Sequence, residues 1–337
     1  MNTHKLLFIA FALTIMGLLA TSCANDVDIN ADYQEITIVY GLLNQSQDRQ
    51  YIKITKAFQT EGNVILAAGD PKNSMYDPKN LEVWLDEYFG ADYLRTIYLD
   101  SVVITNKDSG EFYYPNEIVY ATPVGIQIKQ TREYKLNVKV KSTGRLIEGK
   151  TILVQNFSIK KPSAWQNYAS FTGNYNQKVE WKSAKNGILH QLTIRYFYTD
   201  IPASGPRSSH FVDLKFGLRR ASNANGGETI IQEFNGNSFY QNLAAHIDLP
   251  ATGMKRYSDS LYYIFDVADE DFTIYVDING PSNSIVQERP AYSNITNGIG
   301  LFSARYTKIR YFAGLTPPSL DTLIHGQFTN HLGFIER

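Results

Sequence analysis

The chain has 337 residues, 43% hydrophobic and 13% aromatic, with 32 basic against 33 acidic side chains and a formal net charge of −1. That balance excludes the basic excess needed to hold a nucleic-acid backbone, and the apolar share is enough for ordinary packed cores. A single cysteine, Cys23, excludes an intramolecular disulfide.

The first 23 residues carry the clearest signal. His4 and Lys5 form a polar, positively charged start, followed by an uncharged apolar run from Leu6 to Ala20 and the small residues Ala20-Thr21-Ser22 before Cys23. This is the layout of a cleavable export signal, and the apolar run of about 15 residues is short of the roughly 20 that a spanning helix needs. The cysteine at the cut resembles the lipobox of bacterial lipoproteins, with Ala20 standing where most carry Leu. The resemblance implies removal of residues 1–22 and lipidation of Cys23. Residues 23–33 are acidic, short of large apolar side chains, and read as a tether; ten extended residues reach roughly 33 Å.

Beyond the tether, 23 Tyr against 4 Met favour strands and half-buried faces. EITIVYGLL and QYIKITKAF read as an antiparallel pair around the turn NQSQD, and residues 59–80, with two Gly and two Pro, as an excursion holding one short helix. LEVWL, YLRTIYL, VVIT and EIVYAT follow as strands. TREYKLNVKV is the cleanest period-two segment, with Tyr134, Leu136, Val138 and Val140 on one face; RLIEGKTILVQ completes the set. These strands predict an N-terminal Ig-like β-sandwich over 34–160.

Patterning stops at Lys160-Lys161-Pro162, which places a boundary there and a second β-rich domain over 161–337. In that domain Val179 and Trp181 share a face, SAKNG reverses the chain, and Leu192, Ile194, Tyr196 and Tyr198 alternate with Thr193, Arg195 and Phe197. NSFYQNLAAHI predicts an amphipathic helix near 237–247, built on Phe239, Leu243 and Ile247 and capped by Asn237 or Ser238. SLYYIFDVA and FTIYVDI read as paired strands, and the last strand lies in AYSNITNGIGLFSARYTKIRYF. The fold class expected is mainly β, two Ig-like or fibronectin-III-like sandwiches with one short helix in the second.

Catalytic chemistry finds no motif. There is no G-x-S-x-G elbow, no Cys–His pair, no H-x-x-x-H or H-x-H spacing and no glycine-rich phosphate loop. Asp266, Asp269, Glu270 and Asp271 form the densest acidic cluster; without EF-hand spacing they read as a solvated hairpin turn, with calcium binding left open. Two carboxylates of a glycosidase need no local motif, so that alternative also stays open. Trp181 reads as core. Trp165, beside Pro162 and Tyr168, is the candidate interdomain, interface or ligand contact, and with Trp84 and the tyrosines it could form a sugar-stacking platform.

Tyr292 to Ala304, YSNITNGIGLFSA, resembles the C-terminal signature of the Bacteroidota domain-of-unknown-function family 4249. IVYGLLN, EYKLNVKVKSTGRLIEGKTILV and NSFYQNLAAHID resemble its earlier pieces in order. The DVADEDF segment departs from the pattern. Physically, Asn297, Gly298 and Gly300 supply turn conformations while Ile299, Leu301 and Phe302 anchor a core. A loop feeding a buried strand is the first expectation for them, and a ligand-contacting backbone loop or interface the second.

The resemblance implies an outer-membrane lipoprotein without established enzymatic activity or cofactor, associated with TonB-dependent transporters. The expected function is therefore a non-catalytic accessory to such a transporter in nutrient uptake, at the periplasmic or cell-surface face of the outer membrane. The alternative is a surface lipoprotein with a glycan or peptide ligand, and third a glycoside hydrolase or other enzyme.

Overall fold

In the computed structural model the described residues are 35–60, 63–105, 107, 113, 115–173, 175–280 and 292–336. The leader, Cys23 and the tether lie outside them. Alternating apolar residues make β1 (Thr37–Asn44) and β2 (Tyr51–Lys56), paired antiparallel with Val39 opposite Ile54. The excursion that follows holds two short helices, Val64–Ala68 and Pro71–Ser74, whose first turns are capped by the side chains of Asn63 and Asp70. Then come β3 (Leu81–Phe89), β4 (Asp92–Tyr98), β5 (Asp100–Ile104), β6 (Glu117–Ala121), β7 (Glu133–Val140) and β8 (Leu146–Ile152). On β7 the predicted apolar face is buried, and Asn137 is buried on the other, its amide donating to Asp86 at 2.9 Å.

The chain continues through β9 (Ile159–Lys161), β10 (Tyr168–Ala169), β11 (Asn176–Lys182), β12 (Leu189–Ile201), β13 (Ser208–Lys215), β14 (Arg219–Arg220) and β15 (Thr229–Asn235). The helix Gly236–His246 follows, with Phe239 and Leu243 buried as their spacing predicts and Ile247 buried at its C-cap. Its cap is Asn235, two residues before the expected start, accepting from the Asn237 N–H at 2.9 Å. After β16 (Lys255–Ala268), the segment expected to pair back as a strand is instead the helix Glu270–Asn279. The chain closes with β17 (Ile299–Phe312), β18 (Gly314–Leu315), the helix Pro317–His325 and β19 (Phe334–Ile335). The architecture is mainly β with short helices.

One large sheet runs in the order β13-β12-β16-β17-β1-β2-β6-β5, with β14 added on β12 and β19 on β16. A four-stranded sheet, β4-β3-β7-β8, a three-stranded one, β15-β11-β9, and the pair β10-β18 complete the set. SAKNG does not make a hairpin: it carries the chain from β11 in one sheet to β12 in another. Strand pairing also crosses the boundary expected at 160. β1 lies parallel to β17, so both halves share the large sheet, and 36–337 forms one compact unit. Side chains from all three larger sheets meet in one buried cluster that includes Val39, Leu85, Leu136, Trp181, Tyr196 and Phe265.

The β1–β17 contact is tight because glycine permits it. Gly300 sits at φ +121°, and a Cβ there would fall 1.9 Å from the Val39 carbonyl oxygen. Buried Phe302 passes between Gly41 on β1 and Gly149 on β8, where an added Cβ would meet it at 3.1 and 3.0 Å. These glycines leave the room the ring occupies. Gly300→Ala therefore combines backbone strain with a steric overlap. We expect it to cost more than about 3 kcal/mol in urea denaturation, whereas Gly217→Ala, in open space, should change stability by less than about 1 kcal/mol. Equal stability of the two variants would contradict the packing described.

Candidate functional site

The segment from Tyr292 to Ala304 is satisfied by its own surroundings. The Ser293 hydroxyl accepts from the Gly300 N–H at 3.1 Å. Asn294 brackets the backbone of Phe302, its Oδ1 accepting from that N–H at 2.9 Å and its amide donating to that carbonyl at 2.8 Å. Thr296 exchanges two backbone hydrogen bonds with Glu148, extending the edge of the β8 sheet. Asn297, at φ 58°, turns the chain and donates to the Leu146 carbonyl at 2.9 Å. A Cβ on Gly298 would meet the Thr37 carbonyl oxygen at 2.8 Å. Asn297, Gly298 and Gly300 are thus brought together, and each contacts the protein's own backbone.

The acidic cluster is not a solvated hairpin. Asp269 is buried and caps the helix Glu270–Asn279, one carboxylate oxygen accepting from the Phe272 N–H at 2.9 Å and from the Ser303 hydroxyl. Its other oxygen accepts from the Ala304 N–H at 2.8 Å and from Thr151 at 3.1 Å. Burial pushes this carboxyl above its ordinary range, and the four donors pull it down. Glu270 and Asp271 occupy the first turn, where negative charge complements the helix dipole. Asp271 accepts from Tyr292 and, at 2.8 Å, from Asn294. Asp266 accepts from Thr307 at 2.6 Å. Among the described residues no three His, Cys, Asp or Glu side chains converge to hold a metal ion.

His190 is fully buried against Trp181, whose indole N–H donates to its Nδ1 at 3.3 Å. Its Nε2 has no partner among the described residues. Burial lowers its pKa to about 4, so it is a neutral core residue. Trp181 is buried, as its register predicts.

Two features face solvent. The first is an aromatic ladder across four strands on the side of the large sheet away from the core. Phe211 on β13 neighbours Phe197 on β12 at 6.1 Å, Phe197 neighbours Tyr262 on β16 at 4.8 Å, and Tyr262 neighbours Tyr311 on β17 at 5.7 Å. Phe211 and Tyr311 are 54% and 53% exposed. Arg195, held bidentately by Asp213 at 2.8 Å, lies 4.1 Å over the Phe211 ring, which fixes one end of the ladder. Periodicity alone put Phe197 opposite the core-facing Tyr196 and Tyr198, but it could not bring four strands into register.

The second is Trp165. Expected to pack between domains, it is instead 92% exposed. Its loop is braced from beneath by Arg310, whose Nη2 donates to the carbonyls of Ala164 and Gln166 at 2.9 and 2.7 Å. No helix of the described residues is long and apolar enough to cross a membrane. No protein-family model matches the chain, and no curated protein is significantly similar to it.

The buried histidine sets a pH dependence. The unfolded chain protonates His190 near pH 6.5, whereas the folded chain resists to about 4. Between those values the unfolded state binds more protons, so the contribution of His190 is full above pH 6.5 and is lost as pH falls towards 4. The loss is about 3 kcal/mol. Urea denaturation at pH 7 and pH 4 should show His190→Gln losing less stability than the parent by about that amount. Identical losses would mean that His190 is not held neutral.

Proposed function

We propose that this chain is a non-catalytic, lipid-anchored protein of the bacterial outer membrane that works by binding, as an accessory partner of a TonB-dependent transporter in nutrient uptake. The observation that carries the binding role is the ladder Phe211–Phe197–Tyr262–Tyr311. Half-exposed rings aligned on a rigid sheet supply contact area at little entropic cost, and an array of them marks an interaction surface. Anchoring rests on the leader and Cys23, and the transporter on the resemblance of Tyr292 to Ala304 and the earlier segments to domain-of-unknown-function family 4249. The N-terminal part is read as Ig-like, with β1, β2, β6 and β5 backed by the sheet β4-β3-β7-β8.

A second role, as a surface glycan-binding lipoprotein, is favoured by Trp165, an indole held almost wholly in solvent on a braced loop. Stacking on a sugar ring is one use for such a side chain.

The test is purification of the full-length lipoprotein from native membranes. The parent should recover a transporter. The double variant Phe211→Ala and Tyr311→Ala should weaken that recovery by about tenfold or more without altering the thermal midpoint. Recovery of no transporter contradicts the first role. Retention on a glycan array that Trp165→Ala abolishes would establish the second.

A further inference from the structure

The helix Glu270–Asn279 lies against β17 and leaves a cleft of about 400 Å³ over the same outer face of the large sheet. That volume is within the range of small-ligand pockets. Tyr40 from β1, Tyr51 from β2, and Phe272 and Tyr275 from the helix present rings to it, and Arg305 from β17 supplies the one formal charge among the described lining residues. Tyr40 and Tyr51 are 40% and 46% exposed, and Tyr275 meets Tyr40 edge-on at 6.2 Å.

Arg305 is the unusual member. Its Nε, like those of Arg132, Arg145 and Arg310, is shut from solvent and has no hydrogen-bond partner among the described residues, and no ion pair or side-chain hydrogen bond is found for the rest of its guanidinium among them. Every other buried or half-buried arginine described, from Arg49 to Arg310, meets a carboxylate, carbonyl or hydroxyl oxygen. Arg256, the most buried, meets Asp200 and the carbonyls of Asp248 and Leu332. A half-buried guanidinium at the wall of a cleft is a planar donor fork, and its complement is a carboxylate. Among the described residues no acidic side chain lines the cleft to compete for it.

The rest of the lining describes the body that carries that carboxylate. Aromatic faces accept the C–H faces of a pyranose, while the tyrosine hydroxyls and the Gln47 amide can hydrogen-bond ring hydroxyls. We propose that the cleft binds a hexuronate residue of an acidic glycan, with Arg305 holding the carboxylate and Tyr40, Tyr51 and Tyr275 lining the sugar ring. The site is separate from Trp165 and from the aromatic ladder, so it stands or falls independently of them.

Calorimetric titration of the mature chain with trigalacturonate, against neutral galactotriose, tests it. The expected result is submillimolar binding of the acidic trimer, at least tenfold weaker for the neutral one. Arg305→Gln should abolish that preference, Arg305→Lys should keep part of it, and Tyr51→Ala should weaken both ligands several-fold. Thermal melts confirm folding, and Tyr51→Ala, at a half-exposed position, reports on the cleft should an arginine variant fail to fold. No binding of trigalacturonate, equal binding of the neutral trimer, or an unchanged preference in a folded Arg305→Gln variant would overturn the proposal.

Discussion

The parallel contact between β1 and β17 is the constraint on which the rest of the molecule depends. It joins residues about 260 apart in sequence, with Val39 opposite Gly300 and Gly41 opposite Phe302. Closing a loop of that length costs on the order of 5 kcal/mol of chain entropy, which must be offset where the ends meet. The offset is visible there: Phe302 is fully buried between two glycines, and Asp269 ties Thr151, Ser303 and Ala304 to the start of a helix. Without this contact β2, β6 and β5 have no route into the large sheet.

That constraint also decides what the segment from Tyr292 to Ala304 does. Its polar side chains are spent on the protein itself: Ser293 on Gly300, Asn294 on Phe302 and Asp271, Asn297 on Leu146. Its glycines face backbone carbonyls rather than open space. Chemistry aimed outward is found on the opposite face of the same sheet, where the aromatic ladder and the Arg305 cleft lie, and on the Trp165 loop. The binding roles proposed follow from this division between a saturated inner junction and an outer face rich in rings.

Much of the strand content was legible because half-buried strands alternate. The strand EITIVYGLL, the buried face of β7, and Tyr196 and Tyr198 on β12 are read correctly from period two alone. The helix Glu270–Asn279 was not legible by that route. FTIYVDI is rich in β-branched and aromatic residues, and local propensity points to a strand. A buried N-cap at Asp269, followed by Glu270 and Asp271, outweighs it; the acidic cluster was the signal, and it specifies a helix start. The break near residue 160 was over-read, because a change in local pattern says nothing about pairing between distant strands. The cleft was equally hidden. Arg305 sits in an unremarkable alternating stretch, and only the fold shows that its Nε finds no partner among the described residues.

Native-state hydrogen exchange tests the central claim, that β1–β17 closure holds the described unit together. The amides of β1 and of residues 300–305 should exchange only through global unfolding, with opening free energies equal to that measured by urea denaturation and slower than those of the edge strands β5 and β13. Exchange of β1 at a free energy well below the global value, while β12 and β16 stay protected, would contradict it.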